Sequence, residues 1–253
     1  MSDKKLTVVI PTTLSPDVYD LLDNLKGNVP DQTLIYLVID GQEHLDEDSK
    51  IKIASARARF QERNGVELYE IVLPFSIGKG GWYGHRAIAG FAHMINTPYV
   101  TFIDQDNLVD AFHFVTLLEL LEKYEDLPFA YSHRTIIDKQ GRDICLDECE
   151  SLGYKPIMGN EQNGYLVDTS SWVYRRQFIE QNGHIWHHGW GADRRFTMAV
   201  RNGVGPEMME KACTKLPSLL YRVAGNANSV TPEFFITGNS KIKLLENKNV
   251  SPD

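Results

Sequence analysis

From residue 6 to about residue 124 the chain alternates short β-branched and apolar runs with amphipathic stretches of helical period. "LTVVI" (6–10), "TLIYLVID" (33–40), "VELYEIVLP" (66–74) and "YVTFID" (99–104) read as buried strands. Between them, "SPDVYDLLDNLKG" carries Ser15 as a cap, Pro16 in the first turn, a Val18/Leu21/Leu22/Leu25 stripe and Gly27 as its stop. A longer helix fits 46–63, and another fits about 85–95. Strands that are apolar on both faces and regularly separated by helices imply an α/β fold. Its mostly parallel central sheet is flanked by helices. The second half is less regular. Two strands are expected about Lys139-Gln140-Gly141, a strand and helix ending at Gly183, a helix over Ala192–Arg201 and a late strand at "SLLYRV". These form a smaller mixed region. The segment 237–253 reads as an arm or a disordered tail.

In parallel sheets, ligands bind beyond the carboxyl ends of the strands. Four polar clusters fall there: Pro11-Thr12-Thr13, Asp40-Gly41, the glycine-rich "SIGKGGWYG" (76–84) and Asp104-Gln105-Asp106. An apolar run ending in two carboxylates calls for compensation, because a buried unpaired carboxylate is costly. On a strand, residues i and i+2 share a side. Asp104 and Asp106 can therefore offer oxygens to one hard divalent ion, Mg²⁺ or Mn²⁺, and leave positions open for a diphosphate. The other use of these residues is helix capping by Asp106, Asn107 or Asp110. Asp40 can accept from a nucleobase N–H or a ribose hydroxyl, or simply make an Asp-Gly turn. Lys79 and its neighbouring glycines can hold phosphate oxygens. "IGKGGW" fits neither the Walker loop nor the dinucleotide G-x-G-x-x-G pattern. Arg86 lies early in the next helix, where a solvated face is the alternative.

This ordered set, "TVVIPTT", "VIDG", the glycine-rich loop with Arg86, and "VTFIDQDN", resembles the GT-A glycosyltransferases, and most of all their large inverting nucleotide-sugar family. The later "GWGAD" resembles that superfamily's acceptor-side loop, and "DTSSWVYRRQFIEQNGHI" the segment before it. The resemblance implies one GT-A domain over 1–236, with a nucleotide-sugar half (6–110) and an acceptor-side half (111–236). It implies that Pro11, Thr12, Thr13 and Asp40 hold the base and ribose, most often of uridine, and that Arg86 faces the nucleotide. Asp104 and Asp106, with Gln105 between them, match the Asp-x-Asp motif that binds metal and diphosphate. Asp193 falls where the family carries its catalytic base. The family commonly has Glu-Asp there, whereas this chain has Ala192-Asp193. No histidine follows His188, so the late metal-binding histidine of many relatives is missing; His187 and His188 are the nearest substitutes.

Expelling a diphosphate while a hydroxyl attacks needs charge neutralisation at the leaving group and a proton acceptor at the hydroxyl. Asp104 and Asp106 are expected in the first role and Asp193 in the second, with inversion at the anomeric carbon. Trp190, beside Gly191, and Trp172 can stack on sugar faces; core packing is the other use of either ring. Two other readings follow from the same residues. One is a binding module that keeps the pocket without transfer, motivated by the single carboxylate at Asp193. The other is a haloacid-dehalogenase-type phosphatase, whose Asp-x-Asp normally ends the first strand rather than the fourth. A nucleotidyltransferase lacks support, since "IPTTLSPD" has no glycine-rich arginine loop.

The net charge of −8 argues against a broad nucleic-acid surface. With no long apolar span and no secretory segment, a cytoplasmic location is expected. The acceptor, whether glycan, lipid-linked sugar, protein or modified base, is not legible. Cys145 and Cys149 lack further ligands to complete a metal site, and with Cys213 they read as reduced thiols.

Overall fold

The computed structural model describes residues 4–223 and 230–249. The first half contains β1 (Leu6–Thr12), α1 (Asp17–Asn28), β2 (Thr33–Ile39), α2 (Glu47–Phe60), β3 (Glu67–Val72), α3 (His85–Phe91) and β4 (Tyr99–Phe102). After these come β5 (Leu108–Val109), α4 (His113–Lys123), β6 (Phe129–Tyr131), β7 (Arg134–Ile137) and β8 (Asp143–Leu146). The chain continues through β9 (Trp172–Arg175), α5 (Arg176–Asn182), α6 (Ala192–Val204), α7 (Pro206–Lys211), β10 (Leu219–Arg222) and α8 (Pro232–Asn249).

Six strands form the central sheet in the order β3-β2-β1-β4-β9-β6. β1 pairs in parallel with β2 (Leu6 opposite Thr33) and with β4 (Leu6 opposite Tyr99), so it occupies the middle of the parallel block. Every residue of β1 is buried, which is why its sequence is a continuous apolar run rather than an alternating one. β9 runs antiparallel to β4, and β6 antiparallel to β9. The rim at the carboxyl end of β4 is therefore also where the chain enters β9. A second, four-stranded sheet, β5-β10-β7-β8, completes the mixed region.

The helix expected over 46–63 is α2, capped by Asp46, whose Oδ1 accepts from the Ser49 N–H at 2.8 Å. Four local expectations need correction. Ser15 does not cap α1, and Gly27 sits inside its last turn rather than beyond it. The helix after the glycine-rich loop stops at Phe91, not near 95. Residues 237–249 are not an arm or a disordered tail but part of α8, while 250–253 lie outside the described residues. α8 docks because Phe235 packs with Ile136, Cys149 and Val223. Asn239 fixes it further, accepting from the Glu148 N–H at 3.0 Å and donating to the Leu146 carbonyl at 2.6 Å. All three cysteines are unpaired. Among the described residues, no helix is long and apolar enough to cross a membrane.

His113 opens α4, fully buried, with Nδ1 2.8 Å from the Ser218 hydroxyl. Burial pushes its pKa down from 6.5 to about 3. The unfolded chain takes up a proton there that the folded chain refuses. Stability from this group is complete above pH 6.5 and falls as the pH drops toward 3, by up to about 1.4 kcal/mol per pH unit. The difference in unfolding free energy between wild type and His113→Asn should therefore shift in favour of the variant between pH 6.5 and 4.5. A pH-independent difference in urea midpoints would refute the assignment.

Candidate functional site

The site is built on the turn that follows β4. The Asn107 N–H closes it onto the Asp104 carbonyl at 3.1 Å. Asp104 and Asp106 thus lie in a turn and not on a strand, so strand periodicity is not what puts them together. Both are half-buried. Gln105 staples this turn to the end of β1: its Oε1 accepts from the Thr12 hydroxyl at 2.6 Å and from the Thr13 N–H at 3.1 Å. Two stretches about ninety residues apart in sequence are locked side by side on one rim. The Thr12 hydroxyl also accepts from the Leu14 N–H at 2.8 Å, which shapes the exit from the strand.

The glycine-rich loop is anchored from below by Asp40. Asp40 Oδ1 accepts from the Ile77 N–H at 2.7 Å, and Oδ2 accepts from the Ser76 hydroxyl at 2.8 Å and the Gly78 N–H at 2.9 Å. Asp40 is buried, and in this arrangement it positions the loop. A Cβ at Gly78 would come within 2.3 Å of the Tyr83 carbonyl oxygen and 2.6 Å of Asp40 Oδ2, so only glycine allows the loop to close on that carboxylate. Arg86 lies over the Trp82 ring at 3.6 Å and donates to the Ile77 carbonyl at 3.2 Å, bracing the same loop. Pro11 is buried, and a Cβ at Gly84 would meet its ring at 2.8 Å, so its contact is with the loop's end. Lys79 projects into solvent and pairs with Glu43 at 3.0 Å, an exposed bond that exchanges readily.

The loop before α6 meets the glycine-rich loop. His85 Nδ1 is 3.1 Å from the His188 carbonyl oxygen, and the Trp82 and His187 rings are 4.9 Å apart. Burial lowers the His85 pKa, so the ring is neutral at pH 7 and its Nδ1–H donates to that carbonyl. Gly191 precedes α6 with φ +79, a left-handed conformation suited to glycine. Asp193 sits in the first turn of α6, where the helix dipole favours a carboxylate. Trp190, 79% exposed, stands free on this loop. Trp172 does not: it is fully buried, stacked on Tyr174 at 5.5 Å and edge-on to Phe129 at 5.0 Å. It belongs to the core, and the sugar-stacking role is withdrawn for it.

Four site residues were not singled out from sequence: Asp168, Ser170, Arg134 and Glu150. Ser170 Oγ accepts from the Asp104 N–H at 3.0 Å and the Asn107 amide at 2.9 Å. Asp168 Oδ1 accepts from the Ser170 N–H at 2.9 Å, and Oδ2 accepts from Arg134 at 2.6 Å. Asp168 and Ser170 reach the rim because β9 runs against β4, while Arg134 on β7 stands behind them and pairs with Asp168 and Glu150. Two signals could have found them: an Asp two residues before a Ser in "DTSSW", typical of a side-chain-capped turn, and an arginine opening the apolar run "RTII".

The rim is strongly acidic. Burial raises the Asp104 carboxyl well above its ordinary range, and the charges of Asp168, Asp106 and Asp193 add to it. Asp106 is raised by burial and by Asp168, partly offset by Arg222. Among the described residues no hydrogen bond or ion pair reaches either side chain from a basic group. A divalent cation would relieve this excess, so the donor set fits one. Among the described residues, however, no three His, Cys, Asp or Glu side chains gather as a metal site. Asp104 and Asp106 would need phosphate oxygens or water to complete a shell. A cavity of about 240 Å³ lies between β8 and α8; Arg134 and Asp147 line it, but Asp104, Asp106 and Asp193 do not.

No family model matches the chain, and no curated protein does. Solved structures do. Residues 1–349 of TarS from S. aureus, in complex with UDP-GlcNAc, superpose with a TM-score of 0.58 at 15% identity over 95% of this chain and 66% of that one. The mannosyltransferase PcManGT from Pyrobaculum calidifontis, in complex with GDP-Man and Mn²⁺, gives 0.55 at 15% identity over 88% and 58%. The chain spans about two thirds or less of the length of these structures. At this identity the likeness concerns the fold: the chain has the GT-A glycosyltransferase fold.

Proposed function

We propose that this chain is a nucleotide-sugar glycosyltransferase that moves a sugar, from a UDP donor in preference to GDP, to an acceptor hydroxyl with inversion. The observation that carries this reading is the Asp104-Gln105-Asp106 turn, stapled through Gln105 to the end of β1 at the rim of a GT-A sheet. Neighbours of the same fold are complexed with UDP-GlcNAc and with GDP-Man and Mn²⁺, which supports a nucleotide-sugar donor.

In this reading Thr12, Thr13 and the loop carried by Asp40 and Arg86 border the nucleoside. Lys79 swings from its exposed partner to a phosphate oxygen. Asp104 and Asp106 would hold Mn²⁺ or Mg²⁺, which would neutralise charge on the departing diphosphate. The acceptor oxygen bonds to the anomeric carbon as the bond to the diphosphate oxygen breaks and its electron pair leaves with the nucleotide. Asp193 takes the hydroxyl proton, held in the first turn of α6. Trp190 offers an exposed ring face for the apolar face of a sugar.

The test is a panel of UDP- and GDP-sugars with Mn²⁺, read by thermal shift and by release of nucleoside diphosphate. UDP-sugars should raise the melting temperature and be turned over, with chelation by EDTA abolishing turnover and leaving a smaller shift. Stabilisation with no turnover across a broad acceptor panel would favour the binding module that the Ala192-Asp193 departure suggests. Absence of both would remove the reading.

A further inference from the structure

We propose that Arg134 is a positioning residue for this site: it fixes, from behind, the turn that presents Asp104 and Asp106. The proposal rests on the functional reading above.

The guanidinium is buried, and each of its three nitrogens is committed. Nε donates to Asp147 at 2.8 Å, Nη1 to Asp168 at 2.6 Å and Nη2 to Glu150 at 2.6 Å. Its planar face lies over Tyr221 at 4.1 Å, with Phe235 of α8 at 5.3 Å. Lysine could not reproduce this, because it lacks a rigid planar fork. From Arg134 an unbroken series of hydrogen bonds reaches the rim. Asp168 accepts from the Ser170 N–H, and the Ser170 hydroxyl accepts from Asp104 and Asn107. The Asn107 side-chain oxygen accepts from the Arg222 N–H at 3.3 Å. Asp147 is equally committed on its far side, accepting from the N–H groups of Cys149, Glu150 and Ser151. Arg134 thereby sets the loop that carries Glu150 as well as the turn that carries Asp104.

Stability does not account for the arrangement. One buried cation among three carboxylates carries desolvation costs that well-packed apolar side chains of similar volume avoid. Only one positive charge is present, so the group keeps a surplus of negative charge beside Asp104 and Asp106. What the arrangement supplies is orientation. Groups behind a metal ligand that fix its geometry typically change metal affinity by about 10- to 100-fold when removed.

The test measures Mn²⁺ binding in the presence of UDP by loss of the free-ion paramagnetic resonance signal, together with melting temperature, for wild type, Arg134→Lys and Ser170→Ala. Ser170→Ala leaves every buried charge paired and guards against a variant that fails to fold. Both variants should weaken Mn²⁺–UDP binding by about tenfold or more in folded protein, with UDP binding in EDTA unchanged. Lower melting temperatures with wild-type Mn²⁺–UDP affinity in both variants would make Arg134 merely structural and overturn the proposal alone. A wild-type protein that binds no Mn²⁺–UDP would overturn both this proposal and the functional reading.

Discussion

Asp193→Asn should lower the turnover number for sugar transfer by about 10³-fold, within the range lost when a general base is removed. The amide keeps the shape of the side chain and can still accept from the Arg194 N–H, which now bonds Asp193 Oδ1 at 2.7 Å. It cannot accept the hydroxyl proton. Donor binding should change by less than about threefold, because the lost interaction exists only as the hydroxyl deprotonates. Steady-state kinetics with nucleotide binding measured separately would check this. A variant that binds donor poorly would place Asp193 on the donor side instead, and a variant with normal turnover would end its candidacy as base.

The double substitution Asp104→Asn, Asp106→Asn should act in two directions. Metal-dependent transfer should drop by about 10³-fold or more, since a bound ion contributes several kcal/mol of charge stabilisation at the leaving group. The free protein should become more stable, not less. Burial and the neighbouring charges of Asp168 and Asp193 hold Asp104 well above the ordinary carboxylate range, so its ionised form costs folding free energy at neutral pH. Asparagine keeps the shape and removes that cost. A raised melting temperature together with lost transfer is the signature of a site held under electrostatic strain. If the variant melted lower and kept its metal response, the carboxylates would be structural.

The parallel block was legible because β1 is buried throughout and β2 nearly so, as the apolar runs "LTVVI" and "TLIYLVID" suggest; β3, expected to be buried, is instead an edge strand that exposes Tyr69, Glu70 and Val72. The rim residues at and beyond the strand ends were legible because polarity there interrupts an apolar run. Asp168 and Glu150 were not, because what places them is the direction of β9 and the loop held by Asp147. Strand direction leaves no periodic mark in a four-residue strand. Trp172 misled because tryptophan has the same letter in a core and on a sugar platform; only packing against Phe129, Tyr174 and Phe196 separates them. Residues 237–249 of α8 were read as a tail because their apolar face is discontinuous. Phe235 and a single buried amide, Asn239, dock the helix.

The bonds that hold the rim together join residues 66, 115 and 205 positions apart: Asp104 to Ser170, Asn107 to Arg222, and Arg222 to Asp17. Each closes a long loop of backbone, whose entropic cost grows only slowly with length but must be met before the contact forms. No single strand–helix unit cut from this chain would contain the site in miniature, because its geometry is a property of nearly the whole polypeptide.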